Sequence, residues 1–252
     1  MKLKDKVAIV TGAGAGMGRS VAIRYAKEGA KVVIAELSKE SGAKTLDAIK
    51  KNGGEATFVE TNVGEEEQVK AMVKAAVDAF GRIDILYNNV AVIHPMDNRV
   101  HEVPSPIFLH SVNINFSSAF YCSKYVITEM LKTGGGSIII VGSPTAVIGC
   151  APSIAAYSST KAGVHSLARV IAAGYGKDNI RANIIIPGTM DTPMNAITLS
   201  DKEAVKKFED AAMLGRLGTS SDVDGLAVFL ASDDSAYCTA GEFAADGGLM
   251  MK

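Results

Sequence analysis

A phenol and an ammonium lie four positions apart in the segment Tyr157-Ser158-Ser159-Thr160-Lys161. Residues at i and i+4 share one face of a helix, so the two groups are expected to be neighbours. A free tyrosine has a pKa of about 10 and is a poor base at neutral pH. A nearby cation favours the phenolate, so Lys161 is expected to lower the pKa of Tyr157 toward the working range. The pair predicts a general acid/base.

Four glycines follow the first apolar segment, in the run Thr11-Gly12-Ala13-Gly14-Ala15-Gly16-Met17-Gly18. The run matches T-G-x-x-x-G-x-G, and it matches neither G-x-G-x-x-G nor the Gly-Lys-Ser/Thr of a P-loop. Glycines allow a tight turn and the close approach of a pyrophosphate to helix N–H groups. A strand-to-helix turn alone would explain one or two of the four glycines. Their clustering predicts a dinucleotide site.

An acid closes the second apolar segment, Val32-Val33-Ile34-Ala35-Glu36. A carboxylate at this place can accept hydrogen bonds from both adenosine ribose hydroxyls and repels a 2′-phosphate. The glycine run holds no Arg or Lys, and Leu37 and Ser38 follow the acid. These features favour NAD over NADP. An ordinary solvated glutamate at a strand end is the alternative that the residues leave open.

Short β-branched runs alternate with longer amphipathic stretches along the chain. Strands are predicted at Val7–Val10, Lys31–Ala35, Ala56–Val59, Asp84–Tyr87, Ser137–Val141, Ile180–Ile186 and Glu242–Ala245. Helices are predicted at Gly16–Glu28, Lys39–Lys51, Glu65–Phe80, Phe108–Lys132, Ala155–Tyr175 and Ser221–Ala231, with short helices between Thr189 and Leu214. The alternation predicts an α/β fold with one doubly wound, Rossmann-like parallel sheet of about seven strands, helices on both faces, and a single domain over residues 1–252. Ligands of such sheets bind outside the carboxyl ends of the strands.

Composition excludes several classes of protein. The 252 residues carry 26 basic and 27 acidic side chains, without the concentrated basic footprint of a nucleic-acid binder. No apolar run approaches the ~20 residues that span a bilayer, so no membrane partner is expected. The charged start and the three unpaired cysteines favour a cytoplasmic protein with free, buried thiols. His94, His101 and His110 lack the spacing of a zinc site, so no metal is expected.

These features occur in one order along the chain: the glycine turn, Glu36, Asn88-Asn89, Ser143, Tyr157 with Lys161, and Pro187-Gly188. In that order they resemble the short-chain dehydrogenase/reductase family, in its single-domain form of about 250 residues. The resemblance runs from Lys6 to Gly248 and includes the late Gly215-Arg216-Leu217-Gly218 and Asp246-Gly247-Gly248 segments.

The resemblance implies four catalytic residues. Tyr157 would be the general acid/base, and Lys161 would hydrogen-bond the nicotinamide ribose and lower the phenol pKa. Ser143 would hydrogen-bond the substrate oxygen. Asn115 would hold a water that relays protons past Lys161; it is preferred to Asn113 because Phe120 then falls at the family's aromatic position.

The resemblance also implies an NAD site. Asn62 and Val63 would meet the adenine, Asn89 the cofactor-side backbone, and Thr192 the nicotinamide carboxamide. The full implied set is Gly12, Gly16, Met17, Gly18, Glu36, Asn62, Val63, Asn89, Tyr157, Lys161, Pro187, Gly188, Met190 and Thr192. A substrate lid is expected within residues 189–214.

The chain departs from the family's usual pattern in three places. Asn62 stands where the family usually has Asp, Val90-Ala91 replaces Ala-Gly after the two asparagines, and Gly142 replaces the first residue of a Ser-Ser pair. The second departure is expected to crowd the floor beside the nicotinamide. None of the three removes a catalytic group.

The expected activity is that of an NAD-dependent alcohol dehydrogenase or carbonyl reductase. Residues expected beside the substrate are mainly apolar: Val92, Pro144, Thr145, Ile148, Cys150 and Met194. They suit a neutral secondary alcohol or ketone. One alternative is an NADPH-dependent 3-oxoacyl thioester reductase, and another is a non-catalytic dinucleotide-binding sensor or scaffold. The resemblance also implies a homotetramer, with the helices Phe108–Lys132 and Ala155–Tyr175 forming one interface.

Overall fold

The computed structural model describes residues 1–251. The strands are β1 (Val7–Thr11), β2 (Lys31–Glu36), β3 (Ala56–Glu60), β4 (Ile85–Asn88), β5 (Gly136–Val141), β6 (Ile180–Pro187), β7 (Met190–Asp191), β8 (Gly218–Thr219) and β9 (Glu242–Ala245). The α-helices are α1 (Gly16–Lys27), α2 (Lys39–Lys51), α3 (Glu66–Phe80), α4 (Ser105–Ser111), α5 (Ser118–Thr133), α6 (Ala155–Tyr175), α7 (Lys202–Ala211) and α8 (Asp224–Ala231).

Seven of the strands form one parallel sheet in the order β3-β2-β1-β4-β5-β6-β9. The predicted doubly wound, Rossmann-like α/β fold is confirmed. The order reverses between β1 and β4, which is the place where a ligand crevice opens in such sheets. Five strands extend one residue beyond the predicted carboxyl end, to Thr11, Glu36, Glu60, Asn88 and Pro187.

Both faces of the sheet are buried, as the continuous apolar runs predict. Successive side chains of a strand point to opposite faces. In β5, Ile138 and Ile140 lie in the apolar cluster on the side of α3, α5 and α6. Ile139 and Val141 lie in the second cluster, with residues of α1 and α8. The two layers hold the carboxyl ends of the strands in a fixed plane.

The single helix predicted from Phe108 to Lys132 is wrong in its detail. The helical segment begins earlier, at Ser105 after the N-cap Pro104, and a π-helical turn over Val112–Ser117 separates α4 from α5. Such a turn inserts an extra residue into the helical repeat and is frequent at functional sites. Asn115 lies within it.

The cysteines only partly match the expectation. All three thiols are free, but Cys122 alone is fully buried, Cys150 is exposed and Cys238 is intermediate. Burial raises the pKa of the Cys122 thiol to about 12. Cys122 lies on α5 within an apolar cluster, whereas Cys150 lies in an irregular loop.

Candidate active site

A cleft of about 910 Å³ opens at the carboxyl ends of the strands. The glycine turn and Glu36 line one part of it. Ser143, Tyr157 and Lys161 line another part, and the segment after β6 lines a third. Every predicted cofactor residue except Gly18 lines this cleft. Among the predicted catalytic residues only Asn115 does not, and Ile148 is absent from the predicted substrate-side wall. The described residues contain no group of three or more potential metal ligands.

Ser143, Tyr157 and Lys161 meet at one point of the cleft. All three are buried, with exposed fractions of 4%, 7% and 2%. The Ser143 side chain interacts with the Tyr157 hydroxyl, and its Oγ lies 3.0 Å from the Thr145 hydroxyl oxygen. The Nζ atom of Lys161 donates to the carbonyl of Val141 at 2.7 Å and lies 5.7 Å from the centroid of the Tyr157 ring. The arrangement can move a proton at the phenol oxygen and hydrogen-bond a second oxygen beside it.

The ionisation of this group differs from the sequence expectation. Burial raises the pKa of Tyr157 to about 12, and the hydrogen bond from Ser143 lowers it only in part. Burial also lowers the pKa of Lys161 to about 8. Desolvation disfavours the charged form of each group, and the Lys161 ammonium is bonded to Val141 rather than to the phenol. In the chain alone, the expected lowering of the Tyr157 pKa by Lys161 is therefore wrong.

Asn115 connects the helix pair α4 and α5 to the chain after β4. Its Oδ1 accepts the backbone N–H of Val92 at 2.7 Å, and its Nδ2 donates to the Val92 carbonyl at 3.0 Å and to the Thr160 hydroxyl at 3.2 Å. The side chain is 1% exposed. Its amide is thus engaged in holding the loop after β4 against α6, one residue before Lys161.

The amino end of α1 is open toward the cleft. Its N-cap, Ala15, has no side chain that could accept the first N–H groups, whereas Ser38 caps α2. Gly12 and Gly16 have positive φ angles of 63° and 53°, which favour glycine. A Cβ on Gly18 would lie 2.3 Å from the Gly12 carbonyl oxygen, so only glycine allows this packing. Unsatisfied helix N–H groups beside glycines fit a pyrophosphate.

Glu36 is tied into the same turn. Its Oε2 accepts the N–H of Gly14 and its Oε1 accepts the N–H of Ser38, both at 3.0 Å. A Cβ on Gly14 would lie 2.8 Å from the Glu36 side chain. Each carboxylate oxygen keeps a further lone pair for a ribose hydroxyl. The carboxylate is therefore both oriented and able to accept at the edge of the cleft.

Asn89, Asn62 and Val63 line the floor of the cleft. The Thr11 hydroxyl oxygen accepts the Asn89 N–H at 3.0 Å. No group among residues 1–251 hydrogen-bonds the buried Oδ1 of Asn89, so it can take a donor from a ligand. The Oδ1 of Asn62 accepts the N–H of Gly64 at 3.0 Å. The neighbouring Val63 is 5% exposed.

The segment after β6 also lines the cleft. Thr192 is 9% exposed and lies across from the glycine turn: its side chain would be 3.6 Å from a Cβ on Gly16. Met190 lines the cleft as well, but its side chain is buried against Gly218 and belongs to the core. Contact of Met190 with a cofactor would thus come from its main chain.

Comparison with known proteins decides the family. Residues 12–250 match the model of a family described as enoyl-(acyl carrier protein) reductase, within the short-chain dehydrogenases. The chain belongs to the short-chain dehydrogenase/reductase family. It is therefore an oxidoreductase that uses a nicotinamide cofactor. The open α1 terminus, the glycine cradle and the unpaired Asn89 oxygen fit such a cofactor.

Three relatives illustrate the range of this family. The chain is 37% identical to the L-rhamnose 1-dehydrogenase (NAD(P)(+)) of Azotobacter vinelandii, covering 100% of this chain and 99% of the relative. It is 32% identical to the cyclohexanol dehydrogenase of an Acinetobacter species, covering 100% and 97%. A proposed gluconate 5-dehydrogenase from Beutenbergia cavernae, solved with NADP at low occupancy, superposes with a TM-score of 0.94 at 30% identity, covering 100% and 99%.

The structure also shows a residue beside the catalytic group that the sequence patterns did not indicate. His165, one turn after Lys161, is 3% exposed, and its Nδ1 lies 3.1 Å from Glu242. Its Nε2 fills the space beside Gly142, since a Cβ there would lie 2.2 Å away. This contact explains why glycine precedes Ser143 in this chain. His165 follows Lys161 at helical spacing, but nothing local indicates its contact with Gly142.

Two histidines lie at or beside the cleft. His110 lines the cleft, whereas His94 packs on His110 with ring centroids 5.9 Å apart. The Nδ1 of His94 accepts the N–H of Met96 at 3.1 Å, so this ring organises the loop after β4.

Proposed function

We propose that this family member is an NAD-dependent oxidoreductase that transfers a hydride between nicotinamide and a neutral secondary alcohol or ketone. The observation that carries the proposal is the meeting of Ser143, Tyr157 and Lys161 in the cleft that the glycine turn also lines. A proton-transferring group and a dinucleotide cradle in one cleft are what such a reaction requires.

In this mechanism the chain's own residues handle the proton and the substrate oxygen. When bound, the nicotinamide cofactor supplies or accepts the hydride. With a pKa near 12, the Tyr157 phenol is protonated at neutral pH and can donate to the oxygen of a ketone being reduced. In the oxidative direction Tyr157 first gives its own proton up to solvent, and the phenolate oxygen then takes the alcohol proton. Ser143 hydrogen-bonds the substrate oxygen and stabilises developing negative charge.

Lys161 supports that proton transfer. It keeps donors beyond its bond to Val141, and these can reach a nicotinamide ribose. With the cofactor bound, its positive charge is proposed to favour the phenolate when proton transfer from Tyr157 takes place. Asn115 is proposed to act next to it, in the proton path that the family resemblance implies.

The preference for NAD rests on Glu36. Its carboxylate is held at the cleft edge by Gly14 and Ser38, where a 2′-phosphate would meet a fixed negative charge. The alternative NADPH-dependent 3-oxoacyl thioester reductase is disfavoured on the same ground. The rhamnose dehydrogenase relative is described with NAD(P)+, so cofactor choice varies among similar proteins.

A neutral substrate is supported by the cleft wall. Beside the catalytic residues lie Val92, Ile93, Ile114, Pro144, Ile154, Met194 and Leu199. Lys161 is the only Lys or Arg among the described residues that line the cleft. Apart from Lys161, no lysine or arginine of the lining is thus available to hold a carboxylate or phosphate of a substrate. The cyclohexanol dehydrogenase relative acts on an alcohol of this neutral class.

Two further parts of the proposal concern the segment 189–214 and the assembly. The short helices of residues 193–200 and α7 are proposed to form the substrate lid, because Met194, Leu199, Phe208 and Ala211 line the cleft. A homotetramer through the faces of α4, α5 and α6 is proposed from the family resemblance.

The proposed activity is tested with a panel of secondary alcohols and ketones, including cyclohexanol, followed by NADH or NADPH absorbance. Turnover is expected with NAD at a kcat/KM about tenfold or more above that with NADP. Tyr157→Phe should lower kcat by about 10²- to 10⁴-fold, with a smaller effect on NAD affinity. Tyr175→Phe, at the other end of α6, is the matched control and should keep full turnover. Undiminished turnover in Tyr157→Phe would favour the sensor or scaffold alternative.

A further inference from the structure

The helix that carries Tyr157 begins only two residues before it. Tyr157 is the third residue of α6, whereas Lys161 lies in the second turn. The first four N–H groups of a helix have no partner within it and must be satisfied from outside, or the first turn frays. The N-cap of α6 is Ile154, whose side chain can accept no hydrogen bond. The position of the phenol therefore depends on an external cap.

The structure shows where that cap comes from. The N–H of Ala156 donates to Oδ1 of Asp97 at 3.0 Å, and the N–H of Tyr157 donates to Oδ2 of the same carboxylate at 2.9 Å. The N–H of Ile154, the N-cap, donates to the Ala151 carbonyl at 3.3 Å, and that of Ala155 donates to the Asn98 carbonyl at 3.2 Å. All four groups are thus satisfied, two of them by one side chain almost sixty positions earlier.

Asp97 is suited to this task by its burial and charge. It is 9% exposed, and both oxygens point at the amino end of α6, where the helix dipole is positive. A carboxylate with two backbone donors is a stronger and more directional cap than a serine or threonine hydroxyl. Replacing it would leave two buried N–H groups without partners.

The loop that carries Asp97 is itself anchored to the catalytic region. The N–H of Asp97 donates to the His94 carbonyl at 2.8 Å. Earlier in the same loop, Val92 is held by Asn115 through both its N–H and its carbonyl. A continuous chain of bonds therefore runs from the π-helical turn through this loop to the backbone of Tyr157.

We propose that Asp97 is a positioning residue: it caps α6 and thereby sets the distance of the Tyr157 hydroxyl from Ser143 and from the substrate oxygen. The inference rests on the proposed function, because it concerns the same proton transfer. Because Tyr157 lies in the first turn of α6 and Lys161 in the second, loss of the cap is expected to affect the two residues differently. Loss of the cap displaces Tyr157, while Lys161, one turn further along, and the glycine turn keep their places.

The test compares Asp97→Ala and Asp97→Asn with a matched buried aspartate. Asp84 is 5% exposed and accepts the N–H of Val7 at 2.9 Å, but it lies directly before β4, away from the carboxyl ends of the strands. Steady-state kinetics with NAD, NAD affinity and thermal unfolding are measured for all variants, well below each melting temperature. Asp97→Ala should lower kcat by about 10- to 100-fold, with KM and the NAD Kd within about twofold.

Asp97→Asn should fall between wild type and Asp97→Ala, because an amide keeps one acceptor and turns an NH2 toward the other N–H. If Asp97→Ala does not fold, the kinetic comparison is made with Asp97→Asn. Asp84→Asn should lower the melting temperature without lowering kcat. If both Asp97 variants lose thermal stability but keep kcat within twofold of wild type, Asp97 is a structural cap only and the proposal is overturned.

A second readout needs no substrate. In protein labelled with ¹³Cζ-tyrosine, the Tyr157 resonance is assigned by its absence from Tyr157→Phe. It should shift or broaden in Asp97→Ala and stay in place in Asp84→Asn. An unchanged resonance in Asp97→Ala overturns the positioning role. Should wild type turn over no alcohol or ketone, the proposed function fails, and this spectroscopic comparison still decides the role of Asp97.

Discussion

Burial shifts the pKa values of Lys161 and Tyr157 in the protein without cofactor. Each loses solvation, so the ammonium becomes easier to deprotonate and the phenol harder. At neutral pH the phenol therefore stays protonated and the amine charged, the state needed to donate a proton to a carbonyl. A buried ammonium costs stability, and such costs are common where function demands a desolvated charge.

That cost makes the stability of the protein depend on pH. The folded pKa of Lys161 is about 8, and that of an unfolded lysine is about 10.4. Between these values the unfolded chain binds more protons, so the free energy of unfolding rises with pH through this window. Relative to Lys161→Met, which lacks the titration, wild type should gain on the order of 2–3 kcal/mol between pH 7.5 and pH 10.

Urea denaturation at the two pH values measures this gain. Tyr157 is present in both proteins, so its own titration cancels to first order. Lys70→Met removes an exposed lysine on α3 and controls for the loss of one charge. A constant difference between wild type and Lys161→Met at both pH values would contradict the assignment of a costly buried ammonium.

At the scale of elements, the contact between the glycine turn and α1 decides cofactor binding. The helix can approach β1 because Gly18 has no Cβ, and its uncapped N–H groups then face the cleft. The local run of glycines predicts this junction. The close approach between Gly18 and the Gly12 carbonyl explains why a larger residue is excluded at the last of the four positions.

Gly18→Ala should weaken NAD binding by about tenfold or more, because the added methyl must push α1 away from the turn. Gly174→Ala, in a helix position with nothing within 4 Å, is the matched control. It should leave NAD affinity unchanged and stabilise the protein by up to about 1 kcal/mol. Titration calorimetry with NAD measures both, and equal affinity in the two variants would refute the role of this contact.

At the scale of the whole molecule, exposed apolar side chains on the helices α4, α5 and α6 need a partner surface. Large apolar residues with exposed fractions between 43% and 64% lie there: Phe108, Leu109, Phe120, Leu131 and Val170. Exposed apolar groups of this number on neighbouring helices are typical of an association surface. They support the proposed homotetramer.

Sedimentation should therefore show a particle of four times the 26.3 kDa chain mass. The double variant Phe120→Glu with Val170→Glu should dissociate it, because the added charges would be desolvated in the interface. Val100→Glu, at an 84% exposed loop position, should leave the assembly intact. A wild-type protein that sediments as a monomer would refute the proposal.

Much of this molecule could be predicted because local patterns carry it. Alternating periodicity identified all seven strands of the main sheet, and α6 has the predicted bounds Ala155–Tyr175. The glycine run and the Tyr157–Lys161 spacing pointed to one cleft, since parallel strands end at the same edge of a sheet. These features depend on neighbours within a few residues of each other along the chain.

Other features exist only because distant segments meet. The Asp97 cap of α6, the His165 ring against Gly142 and the Asn115 amide on Val92 each join residues that share no local pattern. The pKa of Tyr157 likewise depends on burial by the whole fold. The amino-acid sequence by itself determined the element order and the chemical groups. The tertiary structure alone decided their partners and their charge, because desolvation and long-range hydrogen bonds arise only on folding.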